Sequence, residues 1–315
     1  MTIQKTMHKV TTKEQAIELL DSYDSFLFDC DGVIWLDNDL IPGVLELIDH
    51  LKTTKKKYAF VTNNSSRSRE NYLSKFAKLG FSDVSKNMIF PTCYSAALVL
   101  KERFQIPENS KVWVLGDGGI EEELRECGYI PVGGTDGRLD DEWDPDHELL
   151  DVDPEVKAVV VGSTKKLNYL RIATTVQYLL HDHKALPFIG TNIDRTYPGP
   201  KGRILPAGGS VVLFMKYTCD RDFVDVGKPS RVLLDAILEL TNFERDLTLM
   251  VGDTLYTDIK FGNDGELGGD AGGTLLVLSG GTKARDLESL DDSDVSLQPS
   301  YYIESLGHLV ELMRL

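Results

Sequence analysis

Four short stretches of this 315-residue sequence concentrate the residue types that do acid–base, metal and anion chemistry. The first, Asp29-Cys30-Asp31-Gly32, begins at the end of the apolar run Ser25–Asp29. In a strand, residues i and i+2 point to the same side. Both carboxylates would then face one cleft at the carboxyl end of that strand, where open α/β sheets bind ligands. Cys30 would point away. The same residues would also make a plain acidic turn, with Gly32 supplying an unusual backbone angle. An EF-hand calcium loop is excluded, because Val33 and Leu40 occupy later ligand positions.

The second stretch is Val61-Thr62-Asn63-Asn64-Ser65. A hydroxyl, two amides and the free N–H groups of a following helix suit an anionic ligand. A simple helix cap by Ser65 or Ser66 is the alternative. The third is Val226-Gly227-Lys228-Pro229-Ser230, where the residue before proline is pushed away from helical angles. Lys228 should therefore sit at the lip between a strand and a helix. It is not a Walker loop, since no glycine lies five residues before Gly227 and Pro229 follows the lysine. The fourth runs from Met250 to Asp258. Asp253 directly follows an apolar strand, and Asp258 should lie in or near the first turn of the next helix. Carboxylates there either favour the helix dipole or bind a hard divalent cation.

These residues need elements to position them. Apolar runs alternate with amphipathic stretches, the signature of an α/β fold with a largely parallel sheet. Strands are expected at Ser25–Asp29, Tyr58–Thr62, Val112–Leu115, Ala158–Gly162, Phe188–Gly190, Phe223–Val226, Leu247–Gly252 and Thr274–Leu278. Leu45, Ile48 and Leu51 have helical spacing, and a further helix through Tyr72, Phe76 and Leu79 should stop at Gly80. Residues 136–155 break the rhythm with ten acids and one base, which suits a solvated surface loop. We take them as part of an inserted module over roughly 107–220, leaving 1–106 and 221–315 to a main domain.

The chain carries 50 acidic against 34 basic residues, a formal charge of −16. Such a surface excludes nucleic-acid binding driven by counterion release and is repelled by anionic membranes. Four scattered cysteines without metal-finger spacing suit a reducing compartment, and the polar start lacks a signal peptide's apolar stretch. Cytosol is the expectation.

Taken together and in order, DCDG, VTNNS, GKP and GDTLYTD resemble the four motifs of haloacid-dehalogenase-superfamily phosphatases. GTNIDRTYP (Gly190–Pro198) and PAGGS (Pro206–Ser210) are similar to the large cap of the p-nitrophenylphosphatase and phosphoglycolate phosphatase branch, its fungal p-nitrophenylphosphatases above all. Thr254 stands where relatives often have Arg, and Gly265–Gly273 is longer than the usual glycine-rich segment. The resemblance implies a Rossmann-like core with an inserted α/β cap of the C2 type. It implies Asp29 as nucleophile, forming an aspartyl phosphate, and Asp31 as general acid and then base. Thr62, Asn63 and Asn64 would hold phosphoryl oxygens, and Lys228 would neutralise charge. Mg²⁺ would bind the Asp29 carboxylate, the Asp31 main-chain carbonyl and Asp253, with Asp258 supporting them. Tyr197 would be a substrate contact or else ordinary cap packing.

Charge counting agrees with a metal. Asp29, Asp253 and Asp258 against Lys228 leave −2, which would repel a phosphate dianion until a divalent cation neutralises it. The implied substrates are small phosphorylated metabolites such as phosphoglycolate, and relatives pair through their caps, so a homodimer is expected. Phosphoprotein or pyridoxal phosphate hydrolysis on the same scaffold and a non-catalytic phospho-receiver stay open. A cysteine phosphatase is excluded, because Leu36, Val99, Gly133 and Asp225 stand six residues after the four cysteines, where Arg is required. The acidic excess is also unevenly placed: residues 136–155 carry −9 while 157–216 carry +7. Bases there, among them Arg195, Lys201 and Arg203, would favour a small anion locally.

Overall fold

The apolar run ending at Asp29 becomes one strand of a seven-stranded sheet in the computed structural model, which describes residues 6–199, 201, 203–291 and 293–314. The strand order is His8–Lys9, Tyr301–Ile303, Thr274–Val277, Thr248–Gly252, Ser25–Phe28, Lys57–Thr62, Ile89–Pro91. Every pairing from His8–Lys9 across to Lys57–Thr62 is parallel. Parallel strands covered on both faces must be apolar throughout, and Phe26, Leu27, Phe28, Leu249, Met250 and Val251 are all buried. Helix Val44–Thr53 buries Val44, Leu47, Ile48 and Leu51, an i, i+3, i+4, i+7 stripe that includes Ile48 and Leu51 of the expected set but leaves Leu45 half-buried. Helix Lys13–Asp21 starts on a capping box, Thr12 accepting from the Gln15 N–H and Gln15 reaching back to the Thr12 N–H. An aromatic cluster of Trp35, Phe60, Phe76 and Phe81 packs beside the sheet, with Phe60 and Phe76 rings 4.3 Å apart.

The chain divides into two compact units. The seven-stranded sheet belongs to the unit of residues 1–62, 73–90 and 228–315, apart from Pro91. The unit of residues 63–72 and 91–227 holds a five-stranded parallel sheet in the order Val224–Asp225, Phe188–Gly190, Val156–Val161, Lys111–Leu115, Ile130–Gly133. Its core includes Trp113 stacked on Tyr178 with ring centroids 4.5 Å apart, and Val159, Val161, Leu179 and Met215 around them. An antiparallel hairpin, Thr196–Gly199 with Arg203–Pro206, also lies in this unit. The expected limits at 107 and 220 fall inside the span of this second unit.

All eight expected strands exist, although Phe223–Val226 shrinks to Val224–Asp225 and joins the five-stranded sheet. The acidic stretch is less loose than its composition suggests. It contains the helical turns Gly137–Asp140 and Glu148–Leu150, Leu139 is buried, and Asp140 pairs with the buried Arg171 at 2.8 Å. Among the described residues, no helix is long and apolar enough to cross a membrane.

Candidate active site

Three parallel strands that neighbour one another, Thr248–Gly252, Ser25–Phe28 and Lys57–Thr62, end on Asp253, Asp29 and Thr62. Their register pairs Val251 with Phe28 and Phe28 with Phe60, so the strand ends lie at one edge. The Asp29 N–H donates to the Val251 carbonyl at 2.9 Å, extending the ladder to the residue that matters. Lys228 lies between the strand Val224–Asp225 and the helix Arg231–Thr241, as its place before proline foretold. It is only 1% exposed. Its ammonium donates to Asp29 Oδ1 and, at 2.9 Å, to the Val61 carbonyl, and it stands 2.7 Å from Asp258 Oδ1.

Asp258 lies in the π-helical turn Leu255–Ile259 that follows Thr248–Gly252. Its Oδ2 accepts the N–H groups of Asp253 at 3.1 Å and Thr254 at 3.0 Å, donors that the start of a helical turn otherwise leaves unpaired. Gly252 makes room for this, since a Cβ there would stand 2.0 Å from the Asp258 Cβ. Carboxylate oxygens of Asp29, Asp253 and Asp258, all buried, come within 4.8 Å of one another.

The electrostatics follow from that crowding. Burial, with Asp258 and Asp253 adding repulsion, drives the Asp29 carboxyl well above its ordinary range although Lys228 opposes the shift. Burial and the neighbouring Asp258 push Asp253 up to about 7. Burial works against the Lys228 charge, yet the carboxylates of Asp258 and Asp29 outweigh it and raise the lysine further. The set is an anionic pocket short of one positive partner.

The remaining expected residues each have their own local partners. Asp31 is exposed, and its Oδ1 accepts from the Trp35 indole at 2.8 Å rather than joining the buried carboxylates. Strand alternation does not reach Asp31, because the strand stops at Phe28 and Cys30 to Trp35 form a turn in which three N–H groups share the Cys30 carbonyl. Cys30 is fully buried, and burial raises its thiol well above the usual range. Thr62 is buried at its strand end.

Asn63 and Asn64 belong to the second unit. Asn63 Nδ2 donates to Asp194 Oδ2 at 2.8 Å, while Asn64 Oδ1 accepts from the Ser66 N–H at 2.9 Å. The expected helix cap by Ser65 or Ser66 is not made. Ser65 Oγ instead accepts from the Ser163 N–H at 3.1 Å, and Ser68 caps the helix through the Asn71 N–H at 3.3 Å. Tyr197, in the hairpin of the same unit, is 41% exposed.

Sequence reasoning missed the backbone of Ser279-Gly280-Gly281, where the Gly281 N–H donates to Asp253 Oδ2 at 2.5 Å. Its only signal was a Gly-Gly pair just past the strand Thr274–Val277.

Comparison with known proteins places this geometry. A model described as haloacid dehalogenase-like hydrolase matches residues 26–130, and a second, HAD-hydrolase-like, matches residues 225–309. A 4-nitrophenylphosphatase of Schizosaccharomyces pombe is 37% identical over 96% of this chain and 98% of its own. Phosphoglycolate phosphatase 2 of Arabidopsis thaliana is 36% identical over 94% of this chain and 95% of its own. Among solved structures, the p-nitrophenyl phosphatase from Archaeoglobus fulgidus superposes with a TM-score of 0.75 at 29% identity, covering 92% of this chain and 98% of the other. A glycerol phosphate phosphatase from Mycobacterium tuberculosis, solved in complex with magnesium, gives 0.73 at 25% identity over 92% of this chain and 77% of the other. With both family models matched and relatives of this identity spanning nearly all of it, the chain belongs to the haloacid dehalogenase-like hydrolases, in the branch that holds the 4-nitrophenylphosphatases and phosphoglycolate phosphatases.

Proposed function

We propose that this chain is a Mg²⁺-dependent phosphomonoesterase that hydrolyses small organophosphates, phosphoglycolate-like metabolites among them, through a phosphoryl group carried on Asp29. The observation that carries this reading is the buried set Asp29, Asp253 and Asp258 with Lys228 against it. The donors fit a hard divalent cation: every offered atom of the three acids is a carboxylate oxygen, and their charge exceeds what one lysine neutralises. Asp29, the Asp31 main-chain carbonyl and Asp253 are assigned as its ligands, with Asp258 holding the loop of Asp253 from behind. When bound, the cation supplies the positive charge that lets a phosphate dianion approach three carboxylates, and it aligns that phosphate for attack.

The residues do the rest. A carboxylate oxygen of Asp29 attacks phosphorus and the ester oxygen leaves. Asp31 gives that oxygen its proton, then takes one from the water that cleaves the aspartyl phosphate. Its exposed position suits exchange with solvent. Lys228 opposes the burial-driven rise of the Asp29 carboxyl and, together with the cation, would favour its ionised form and orient it for attack. Thr62, Asn63 and Asn64 are assigned to phosphoryl oxygens, and Tyr197 to the organic part of the substrate. Residues 1–106 and 221–315 are read as the core, and the inserted module of roughly 107–220 as the cap. The free cysteines suit a cytosolic enzyme.

The test is a panel of p-nitrophenyl phosphate, phosphoglycolate, glycerol phosphate, pyridoxal phosphate and phosphopeptides, with Mg²⁺ or with chelator. Hydrolysis of small phosphates that needs Mg²⁺ is expected, with Asp29→Asn reducing kcat by about a thousandfold or more while retaining the fold. Full activity in chelator, or in the Asp29→Asn protein, would sink the reading. Preference for phosphopeptides would move the substrate class to phosphoproteins.

A further inference from the structure

We infer that Thr254 is a positioning residue, whose hydroxyl holds the Asp253 carboxylate in the one orientation in which it can receive a divalent cation. The inference rests on the reading of Asp253 as a metal ligand. Thr254 Oγ1 donates to Asp253 Oδ1 at 3.3 Å, and the Gly281 N–H donates to Oδ2 at 2.5 Å. Two donors, one on each oxygen, fix the plane of the carboxylate and leave lone pairs over for a cation. The surroundings allow little other freedom. A Cβ on Gly32 would stand 2.5 Å from Asp253 Oδ2, and one on Gly280 would stand 1.9 Å from it, so backbone closes round that oxygen on two sides. The wall is itself tied down: Ser279 Oγ donates to the Gly32 carbonyl at 2.7 Å, and the Thr282 N–H to the Asp253 carbonyl at 2.9 Å.

The Gly281 donor to the carboxylate and the Thr282 donor to the Asp253 carbonyl are main-chain. The hydroxyl of Thr254 is the exception, and it can be removed alone. Valine keeps the β-branch and the volume, and the Thr254 N–H bond to Asp258 Oδ2 at 3.0 Å is main-chain and survives. What is lost is one donor to a ligand oxygen, and partners of that kind typically set affinity by about 10- to 100-fold.

The experiment is calorimetric titration of Mg²⁺ alone into the metal-free full-length protein, as wild type, Thr254→Val, Thr254→Ser and Asp253→Asn, with circular dichroism as the check on folding. Thr254→Val is expected to weaken Mg²⁺ by about tenfold or more, and Thr254→Ser to bind within about threefold of wild type. In turnover the Mg²⁺ concentration for half-activation should rise more than kcat at saturating Mg²⁺ falls. Wild-type affinity in Thr254→Val overturns the inference. Equal weakening in Thr254→Ser also overturns it, since packing of the methyl group would then be the cause. Unchanged Mg²⁺ binding in Asp253→Asn would instead remove the metal assignment on which the inference stands.

Discussion

Asp29, Lys228, Asp253 and Asp258 were legible one by one in the sequence, because each stands where an apolar run gives way to polar residues. Their protonation was not legible, since it depends on burial. Burial raises the Asp253 carboxyl to about 7 from an ordinary 3.8. In the window between those values the folded, metal-free chain keeps a proton that the unfolded chain has released. Its stability therefore falls as pH rises through that window and levels off above it. Asp225, raised to about 6 by burial, and Asp29, raised well above its ordinary range, act in the same direction. Melting temperatures of the metal-free protein should thus drop as pH rises from about 4 to about 7. Saturating Mg²⁺, which keeps the carboxylate ionised in the fold, should reduce that slope, and so should Asp253→Asn. An unchanged slope in Asp253→Asn would show that another group is responsible.

At the scale of elements, most apolar strands announced themselves, and polar or Pro- and Gly-containing ones did not. Residues 26–28, 249–251 and 158–161 are unbroken buried apolar runs, as a sheet covered on both faces demands. His8–Lys9 is polar and exposed at the sheet edge, and Ile130–Gly133 contains a proline and a glycine, so neither reads as a strand. The hairpin of Tyr197 is likewise rich in Pro and Gly. The junction of the strand Thr248–Gly252 with the turn of Asp258 is where an element's geometry meets the chemistry. Gly252→Ala would drive a Cβ into Asp258, and should cost about 1–3 kcal/mol in denaturant unfolding as well as activity. Gly137→Ala has no neighbour within 4 Å of its Cβ and should stay within about 0.5 kcal/mol of wild type. Equal effects at the two positions would refute the steric argument.

For the whole molecule, the charge of −16 is a property of surfaces. Much of the acidic stretch is neutralised in place, Arg138 bridging Asp136 and Glu148 at 2.7 Å each and Lys111 pairing with Asp153 and Glu155. Glu142, Asp144 and Asp146 are exposed. The triple substitution Glu142→Gln, Asp144→Asn, Asp146→Asn should lower solubility while leaving stability within about 0.5 kcal/mol per site. Hydrolysis of small phosphates should stay within about twofold of wild type, and a larger loss would tie this stretch to catalysis.

The sequence by itself determined the α/β class, most of the long strands and the residue types standing at their ends. That information is local: a strand buried on both faces is apolar along its length, and its end is visible where that stops. Only the tertiary structure decided which ends meet. Lys228 and Asp29 are 199 positions apart, and no local pattern encodes that the strand ending at Asp29 lies between those ending at Thr62 and Asp253. Nor could a residue count tell that Asp258 would share the burial of Asp29 while Asp31 turned to the Trp35 indole. A carboxylate's surroundings are set by the neighbours that folding brings to it, and its charge and its metal affinity follow from those neighbours.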